Sequence, residues 1–123
     1  MGLLSAADLC GWYGRASIYA LPARYEPFGL SALEAALSGC ALVLGDIASL
    51  HEVWGDAAIF LPSCDAAAWR DALACLAADA GARQELGRRA RRRALEFTPQ
   101  RMAAAYLSCY LATVRQKEGV CAS

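Results

Sequence analysis

The sequence of 123 residues lacks the features that mark a membrane-spanning or lipid-anchored protein. No uninterrupted apolar run approaches the roughly eighteen residues needed to cross a bilayer, although 58% of the residues are hydrophobic. No basic segment precedes the apolar start of the chain, and Ala6 stands where a myristoylation signal requires Ser or Thr. We therefore expect a cytoplasmic protein whose association with a membrane is at most peripheral.

An excess of charge of one sign is also missing, since 12 basic residues balance 12 acidic ones. A chain with no net charge creates no overall field that attracts nucleic acid. The only strong charge run, residues 88–93, contains five arginines beside an apolar stripe and without aromatic residues for base stacking. We interpret this run as a solvated helix face and predict no nucleic-acid partner, with an anionic membrane surface as a secondary alternative.

Histidine is nearly absent, because His51 is the only one, and none of the six cysteines forms a C-x-x-C pair. Few ligands are thus available for a zinc site, and the cysteine spacing does not indicate a disulfide framework. We expect no metal site and reduced cysteines in the core or in helices. For His51, a surface or capping position is favoured over a pH switch or a catalytic base.

Apolar strands alternate with helices along the first half of the chain. Short strands are predicted at residues 17–21, 40–44 and 58–61. Before the first strand, Ser5 and Asp8 predict a capped helix that ends near Arg15. The pattern is wholly helical from Asp65 onward, with Asp65 as a cap, a break at residues 79–81, a basic helix that ends near Phe97, and a last helix capped by Thr98. Strands separated by helices favour a parallel α/β sheet with right-handed crossovers, in which ligands bind at the carboxyl ends of strands. Residues 22–29 occupy such a position. We expect one domain over residues 1–117 and a flexible tail over residues 118–123.

The segment that speaks most directly to function is residues 26–34, with the sequence EPFGLSALE. Pro27 favours an extended Glu26, and Phe28 with Gly29 then turns the chain into a helix that is predicted to reach residue 39. The start of a helix carries unpaired N–H groups and a partial positive charge, which suit a phosphate. Glu34 lies about 7–8 Å further along the helix than Gly29, an offset that matches the distance from diphosphate to ribose.

Helical periodicity divides the side chains of this helix between two faces. Leu30, Leu33 and Leu37 share one face, which we expect to be the core, whereas Ser31 and Glu34 lie on a small polar face. An alternative is that Ser31 and Glu34 only form a capping box for the first turn. Glu26 likewise has an alternative as a solvated loop carboxylate.

This nonapeptide, after an apolar strand, resembles the donor-sugar signature of retaining group 1 (family 4-like) glycosyltransferases of the two-lobed GT-B fold. The resemblance covers about residues 2–114 and continues through residues 48–53, where His51 replaces the usual proline. It implies a partial, Rossmann-like C-terminal lobe that binds a nucleotide-diphosphate sugar as donor substrate, without a metal or other cofactor. The catalytic histidine, the acceptor site and a basic pair that grips the diphosphate belong to parts of the family fold that this chain does not supply, so we expect it to be incomplete and inactive alone.

The resemblance also implies roles for individual residues. Glu34 would accept hydrogen bonds from the ribose hydroxyls, and Glu26, the candidate catalytic residue, would contact hydroxyls of the donor sugar. Phe28, Gly29 and Leu30 would form the donor-binding turn, whose backbone N–H groups meet the phosphates. A nonenzymatic α/β interaction module is the alternative function. A response-regulator-like domain ranks third, because its acidic cluster and following lysine are missing.

The last helix presents two apolar rows that one small sheet is not expected to cover. We predict that the outer row contacts either the N-terminal lobe of a complete enzyme or a second copy of the chain, whereas docking of both rows on the chain's own sheet would leave a monomer. The rows consist of Met102, Tyr106, Tyr110 and Val114, and of Ala103, Leu107 and Leu111.

Overall fold

The computed structural model describes residues 5–121, apart from the side chains at positions 6, 10, 102, 105, 106, 109, 110 and 116–121. Helices and strands alternate over the first half of the chain, and three helices follow. The elements are α1 (Ala6–Arg15), β1 (Ile18–Leu21), α2 (Leu30–Leu37), β2 (Ala41–Gly45), α3 (Ala48–Trp54), a 3₁₀ turn (Gly55–Ala57), β3 (Ile59–Leu61), α4 (Ala66–Ala78), α5 (Ala80–Ala94) and α6 (Pro99–Cys121).

The three strands form a parallel sheet in the order β1-β2-β3, as the alternation of strands and helices predicts. In the register of the sheet, Ile18 lies opposite Ala41 and Val43 lies opposite Ile59. All five residues of the central strand β2 are buried. The carboxyl ends of the strands therefore meet at one edge of the sheet, next to the loop that follows β1.

The two faces of β2 carry separate hydrophobic clusters, because successive side chains of a strand point to opposite faces. Leu42 and Leu44 pack with small residues of α2 and with Leu50 and Trp54 of α3. Ala41 and Val43 pack with Trp69 and Leu76 of α4 on the other face. Helix α5 contributes to both clusters, since Leu86 belongs to the second, and Ala90 and Ala94 belong to the first.

Local capping signals define most of the helix starts. Ser5 and Asp8 form the predicted capping box of α1, and Asp65 accepts a hydrogen bond from the N–H of Ala68 at the start of α4. Thr98 accepts one from the N–H of Arg101 at 3.1 Å. The break predicted at residues 79–81 is shorter than expected, because Asp79 caps a helix that starts at the next residue.

Two helix ends differ from the prediction. Helix α2 ends at Leu37 rather than at residue 39, and α5 ends at Ala94 rather than near Phe97. Helix α6 spans Pro99–Cys121, and the flexible tail expected over residues 118–123 stays a prediction. In α6 the side chains of Leu107 and Leu111 are exposed, whereas those of Met102, Tyr106 and Tyr110 lie outside the described residues. Self-association through this helix stays a prediction.

The predicted core face of α2 is wrong. The buried residues of this helix are Ala32, Ala35 and Ala36, whereas Leu30 is 61% exposed and Leu37 is 43% exposed. Three small side chains let the helix axis approach the sheet closely, and the leucines at positions 30 and 37 are consequently turned away from it. Of the three leucines assigned to the core, only Leu33 packs partly against it.

Candidate functional site

The loop that follows β1 is held in place from the ends of both other strands. Ser49, in the first turn of α3, donates a hydrogen bond from its hydroxyl to the carbonyl of Glu26 at 2.6 Å. Ser63, after β3, donates to the carbonyl of Ala23 at 2.8 Å. Sequence reasoning missed both serines as supports of the loop. Their positions just after strand ends would have been the available signal.

Gly45, the last residue of β2, allows the same loop to approach the sheet closely. A Cβ atom at this position would lie 2.2 Å from the carbonyl oxygen of Ala23. Any side chain would push the loop away from the strand ends. The backbone between Ala23 and Glu26 is therefore located by one steric contact and two hydroxyl hydrogen bonds.

Glu26 is half-buried and its carboxylate turns back onto the loop. Its Oε1 accepts a hydrogen bond from the backbone N–H of Gly29 at 3.0 Å. The Oε2 atom has no protein partner among the described residues. The carboxylate is thus oriented by the turn and keeps one oxygen for a ligand, which differs from a freely solvated loop carboxylate.

Gly29 starts α2 in a conformation that favours glycine. It has φ 79° and ψ 57°, and a Cβ atom would lie 3.3 Å from the side chain of Leu50. No side chain caps the helix, and no acidic residue lies in its first turn. In the described part of the chain, the N–H groups of Leu30 and Ser31 have no hydrogen-bond partner. The positive end of the helix is available for an anion.

Phe28 anchors this turn to the C-terminal part of the domain. Its ring packs edge-on against Phe97, with centroids 5.6 Å apart and an interplanar angle of 88°. The ring is half-buried. Its side chain therefore supports the turn, and a contribution of Phe28 to donor binding would come from its backbone.

Glu34 is exposed, and its carboxylate has no hydrogen-bond partner among the described residues. The capping-box alternative is not observed, because the N-cap is Gly29 and the hydroxyl of Ser31 accepts a hydrogen bond from Tyr19 at 2.6 Å. Burial raises the pKa of the Tyr13 phenol, and the neighbouring Tyr19 and Glu34 raise it further. Glu34 thus lies beside a pair of tyrosines as an unpaired acceptor.

Comparison with known proteins identifies the family. The sequence profile described as Glycosyl transferases group 1 matches residues 2–93. The chain belongs to the group 1 glycosyl transferases. It is 35% identical over 115 residues to the D-inositol 3-phosphate glycosyltransferase of Arthrobacter sp. (strain FB24), a match that covers 92% of this chain and 27% of that protein. It is 36% identical over 118 residues to the glycogen synthase of Mycobacterium tuberculosis (strain ATCC 25618 / H37Rv), which covers 94% and 28% of the two chains.

A solved structure shows the same fold. The sucrose-phosphate synthase of Thermosynechococcus elongatus superposes with a TM-score of 0.75 at 25% identity, over 91% of this chain and 30% of that chain. The parallel sheet and its flanking helices therefore match a Rossmann-like lobe of the GT-B fold. This chain spans 27% of the length of the Arthrobacter glycosyltransferase and 28% of the length of the glycogen synthase.

The histidine and the cysteines that the structure describes lie outside the turn at Gly29. His51 is exposed, as predicted, and its Nε2 lies 2.5 Å from Asp46 Oδ1 while its ring stacks on Phe60 at 3.7 Å. Cys40 is buried, but Cys64 and Cys75 are exposed, and all three are free thiols. Cys10, Cys109 and Cys121 lie outside the described side chains. Within residues 5–121, His, Cys, Asp and Glu side chains form no group of three that suits a metal ion, and no helix has the length and apolarity to cross a membrane.

Proposed function

We propose that this domain binds the nucleotide-diphosphate sugar of a retaining hexosyltransferase at the carboxyl edge of β1. The observation that carries this proposal is the pairing of two unpartnered features on one helix. The first-turn N–H groups of α2 have no protein acceptor, and Glu34, on the same helix, has no protein donor. Glu34 lies about 7–8 Å along the axis from Gly29, where the helix starts, which suits a diphosphate at the helix start and a ribose at Glu34.

Each residue of the predicted site then has a defined role. The N–H groups of Leu30 and Ser31 donate to phosphate oxygens, and Gly29 keeps the turn free of a side chain that would exclude them. The Glu34 carboxylate accepts hydrogen bonds from the ribose hydroxyls. Glu26, oriented by the N–H of Gly29, presents its Oε2 to hydroxyls of the donor sugar and is the candidate catalytic residue.

The relatives support a sugar-transfer role, since they are named as glycosyltransferases and as synthases of glycogen and of sucrose phosphate. Retention of configuration rests on the resemblance of residues 26–34 to the retaining signature. The activity of a complete enzyme is part of this proposal, because the chain covers 27% of the glycosyltransferase relative.

Calorimetry with UDP, GDP and ADP tests the ribose role of Glu34. Glu34→Ala removes charge-assisted hydrogen bonds worth roughly 1.5–3 kcal/mol, so we expect at least a roughly tenfold loss of affinity for the nucleotide that binds. Glu26→Ala is expected to have a smaller effect, since a nucleoside diphosphate carries no donor sugar. Asp71→Ala is the matched control, because Asp71 is an exposed acidic residue on α4, which packs on the other face of the sheet.

Two outcomes would contradict the proposal. Equal affinity of Glu34→Ala and the parent protein, with an unchanged circular dichroism spectrum, would refute the ribose contact. Failure of all three nucleotides to bind the parent protein would favour the nonenzymatic interaction module.

A further inference from the structure

The outer edge of β1 is open. This strand stands at one end of the strand order and pairs with β2 on its other side. The N–H of Ala41 donates to the carbonyl of Ser17 at 2.9 Å, so the backbone groups of alternate residues from Ser17 onward face β2. The backbone groups of Ile18 and Ala20 face away from it, and they have no hydrogen-bond partner among the described residues. A row of unpaired strand groups is a template for pairing with another strand.

The sheet face beside this edge is also uncovered. Ile18 lies opposite Ala41 and Ala20 lies opposite Val43, so both side chains point to the face on which α4 packs. Helix α4 covers the central strand there, but Ala20 is exposed and Ile18 is only half-buried. A strand added at this edge would therefore extend both the hydrogen bonding and the apolar face of the sheet.

Strand β1 is complementary to itself under a two-fold axis. In an antiparallel pair, residues directly opposite each other exchange both backbone hydrogen bonds at every second position. An axis at Tyr19 places Ile18 of one copy opposite Ala20 of the other, so each unpaired group of this edge meets a partner. The two Tyr19 residues then face each other at the intervening position without exchanging hydrogen bonds, which is consistent because their backbone groups face β2.

The other edge strand, β3, offers less. The N–H of Asp46 donates to the carbonyl of Leu61 at 2.9 Å, so Leu61 directs its backbone groups toward β2. By alternation, Phe60 is the one residue of this three-residue strand whose backbone groups face outward. The edge of β1 is thus the longer template for pairing.

Exposed aromatic side chains lie on both sides of β1 in the sequence. Trp12 is 49% exposed and Tyr25 is 84% exposed. An antiparallel pair brings the amino end of one strand to the carboxyl end of the other, so Trp12 of each copy is brought toward Tyr25 of its partner. Large aromatic side chains supply much of the contact area of protein interfaces. The same two-fold therefore serves the exposed rings as well as the backbone.

We propose that two copies of this chain associate by antiparallel pairing of their β1 strands. The two parallel sheets then form one continuous sheet with the two β1 strands at its centre. The contact is isologous, because both copies use the same edge and no free β1 edge is left for a third copy. It involves neither the proposed nucleotide site nor α6, the helix for which the sequence predicts self-association.

Light scattering across a concentration series tests the association. We expect a dimer mass at high micromolar protein and dissociation on dilution. Ala20→Pro removes an N–H that faces away from β2, a position that an edge strand tolerates, and should weaken the dimer by at least about tenfold. Ala20→Ser is the matched control, because it keeps this N–H and should associate as the parent protein does.

A variant of α6 separates this surface from the predicted one. Leu107 and Leu111 are exposed on that helix. Leu107→Glu combined with Leu111→Glu places charges there and should leave the dimer mass unchanged. Loss of the dimer in this variant would assign the association to α6 and overturn the proposal.

Hydrogen exchange followed by NMR tests the pairing in the parent protein, even if Ala20→Pro fails to fold. The amides of Ile18 and Ala20 should exchange at least about tenfold more slowly in the dimer than after dilution. The amide of Tyr19 faces β2 and should be protected at both concentrations. The proposal is overturned by a monomer mass at high micromolar protein, by equal dimer stability of folded Ala20→Pro and Ala20→Ser, or by rapid exchange at Ile18 and Ala20 in the dimer. A mass that grows beyond the dimer would contradict the two-fold pairing.

Discussion

The loop between β1 and α2, here called the donor loop, and helix α5 are both rich in polar groups, but they differ in how those groups are satisfied. Around the loop, hydroxyls and a glycine fix the backbone, while the Glu34 carboxylate and the first N–H groups of α2 have no protein partner. In α5, four of the five arginines of residues 88–93 contact protein groups through their side chains. The unpaired polar groups thus lie at the proposed donor site, whereas the paired arginines tie α5 to the rest of the domain.

The sequence indicates a solvated face for the arginines of α5, but two of these arginines also donate hydrogen bonds to other helices. Arg91 donates to the carbonyl of Leu37 at the end of α2, at 3.2 Å, and Arg93 donates to that of Val53 near the end of α3, at 2.7 Å. Cations at these positions satisfy the last carbonyls of a helix and complement its dipole. Helix α3 carries Ser49 in its first turn, and the Ser49 hydroxyl donates to the carbonyl of Glu26. By contacting the last turn of α3, Arg93 therefore helps to position Ser49 and, through it, the backbone of Glu26.

The largest expected effects come from two glycines, one in each region, at which backbone atoms of another segment leave no room for a Cβ atom. A Cβ atom at Gly45 would lie 2.2 Å from the Ala23 carbonyl oxygen, and one at Gly87 would lie 2.3 Å from that of Gly39. We expect Gly45→Ala and Gly87→Ala each to lower the free energy of unfolding in urea by about 3 kcal/mol, because backbone atoms must move. Gly45→Ala should in addition weaken nucleotide binding, as it displaces the donor loop.

Gly14→Ala is the control for these two glycine variants. Gly14 lies within α1 and a Cβ atom there has nothing within 4 Å, so alanine should stabilise the protein by roughly 0.5–1 kcal/mol. If Gly45→Ala were as stable as the parent protein and bound nucleotide equally well, the close packing of the loop on β2 would not matter for either property.

A smaller difference is expected between two neighbouring arginines of α5. Arg93→Ala removes hydrogen bonds to the α3 carbonyls and an ion pair with Glu96, and should cost roughly 1.5–3 kcal/mol of unfolding free energy. Arg92→Ala removes no protein contact among the described residues and should stay within about 0.5 kcal/mol of the parent protein. Urea unfolding of both variants provides the measurement. Equal destabilisation would show that charge alone, rather than the contacts of Arg93, stabilises the domain.

The smallest expected effect is a pH dependence in the core beneath α2. Burial raises the pKa of the Cys40 thiol above its ordinary value of 9.0, because the thiolate is disfavoured there. As the pH rises, the unfolded chain loses the Cys40 proton before the folded protein does, and this loss favours the unfolded state. The contribution of the Cys40 thiol to the free energy of unfolding is therefore complete below pH 9 and declines above it. The slope cannot exceed about 1.4 kcal/mol per pH unit for one proton.

Cys40→Ala isolates this contribution. Its unfolding free energy should fall less steeply between pH 9 and pH 10 than that of the parent protein, since the exposed Cys64 and Cys75 are present in both. Parallel pH profiles for the two proteins would show that Cys40 does not titrate differently on folding.

Features that depend on neighbouring residues in the sequence were predicted well. The capping box of Ser5 and Asp8, the end of α1 at Arg15 and the caps at Asp65 and Thr98 are all formed by groups within a few residues of each other. The order of strands and helices predicts a parallel sheet because each connection contains a helix. The glycine at which α2 begins was identified for the same reason, since its turn is a local backbone property.

What the sequence determined by itself is thus the segment 26–34, with a turn at Gly29 and an acidic side chain about one and a half turns into the following helix. Tertiary structure alone decided which face of α2 meets the sheet and which groups hold the donor loop. Ser49 and Ser63 contact carbonyls 23 and 40 residues away in the chain, and Arg93 reaches one 40 residues away. Such contacts have no local pattern, because they exist only once the parallel strands have brought distant segments to a common edge.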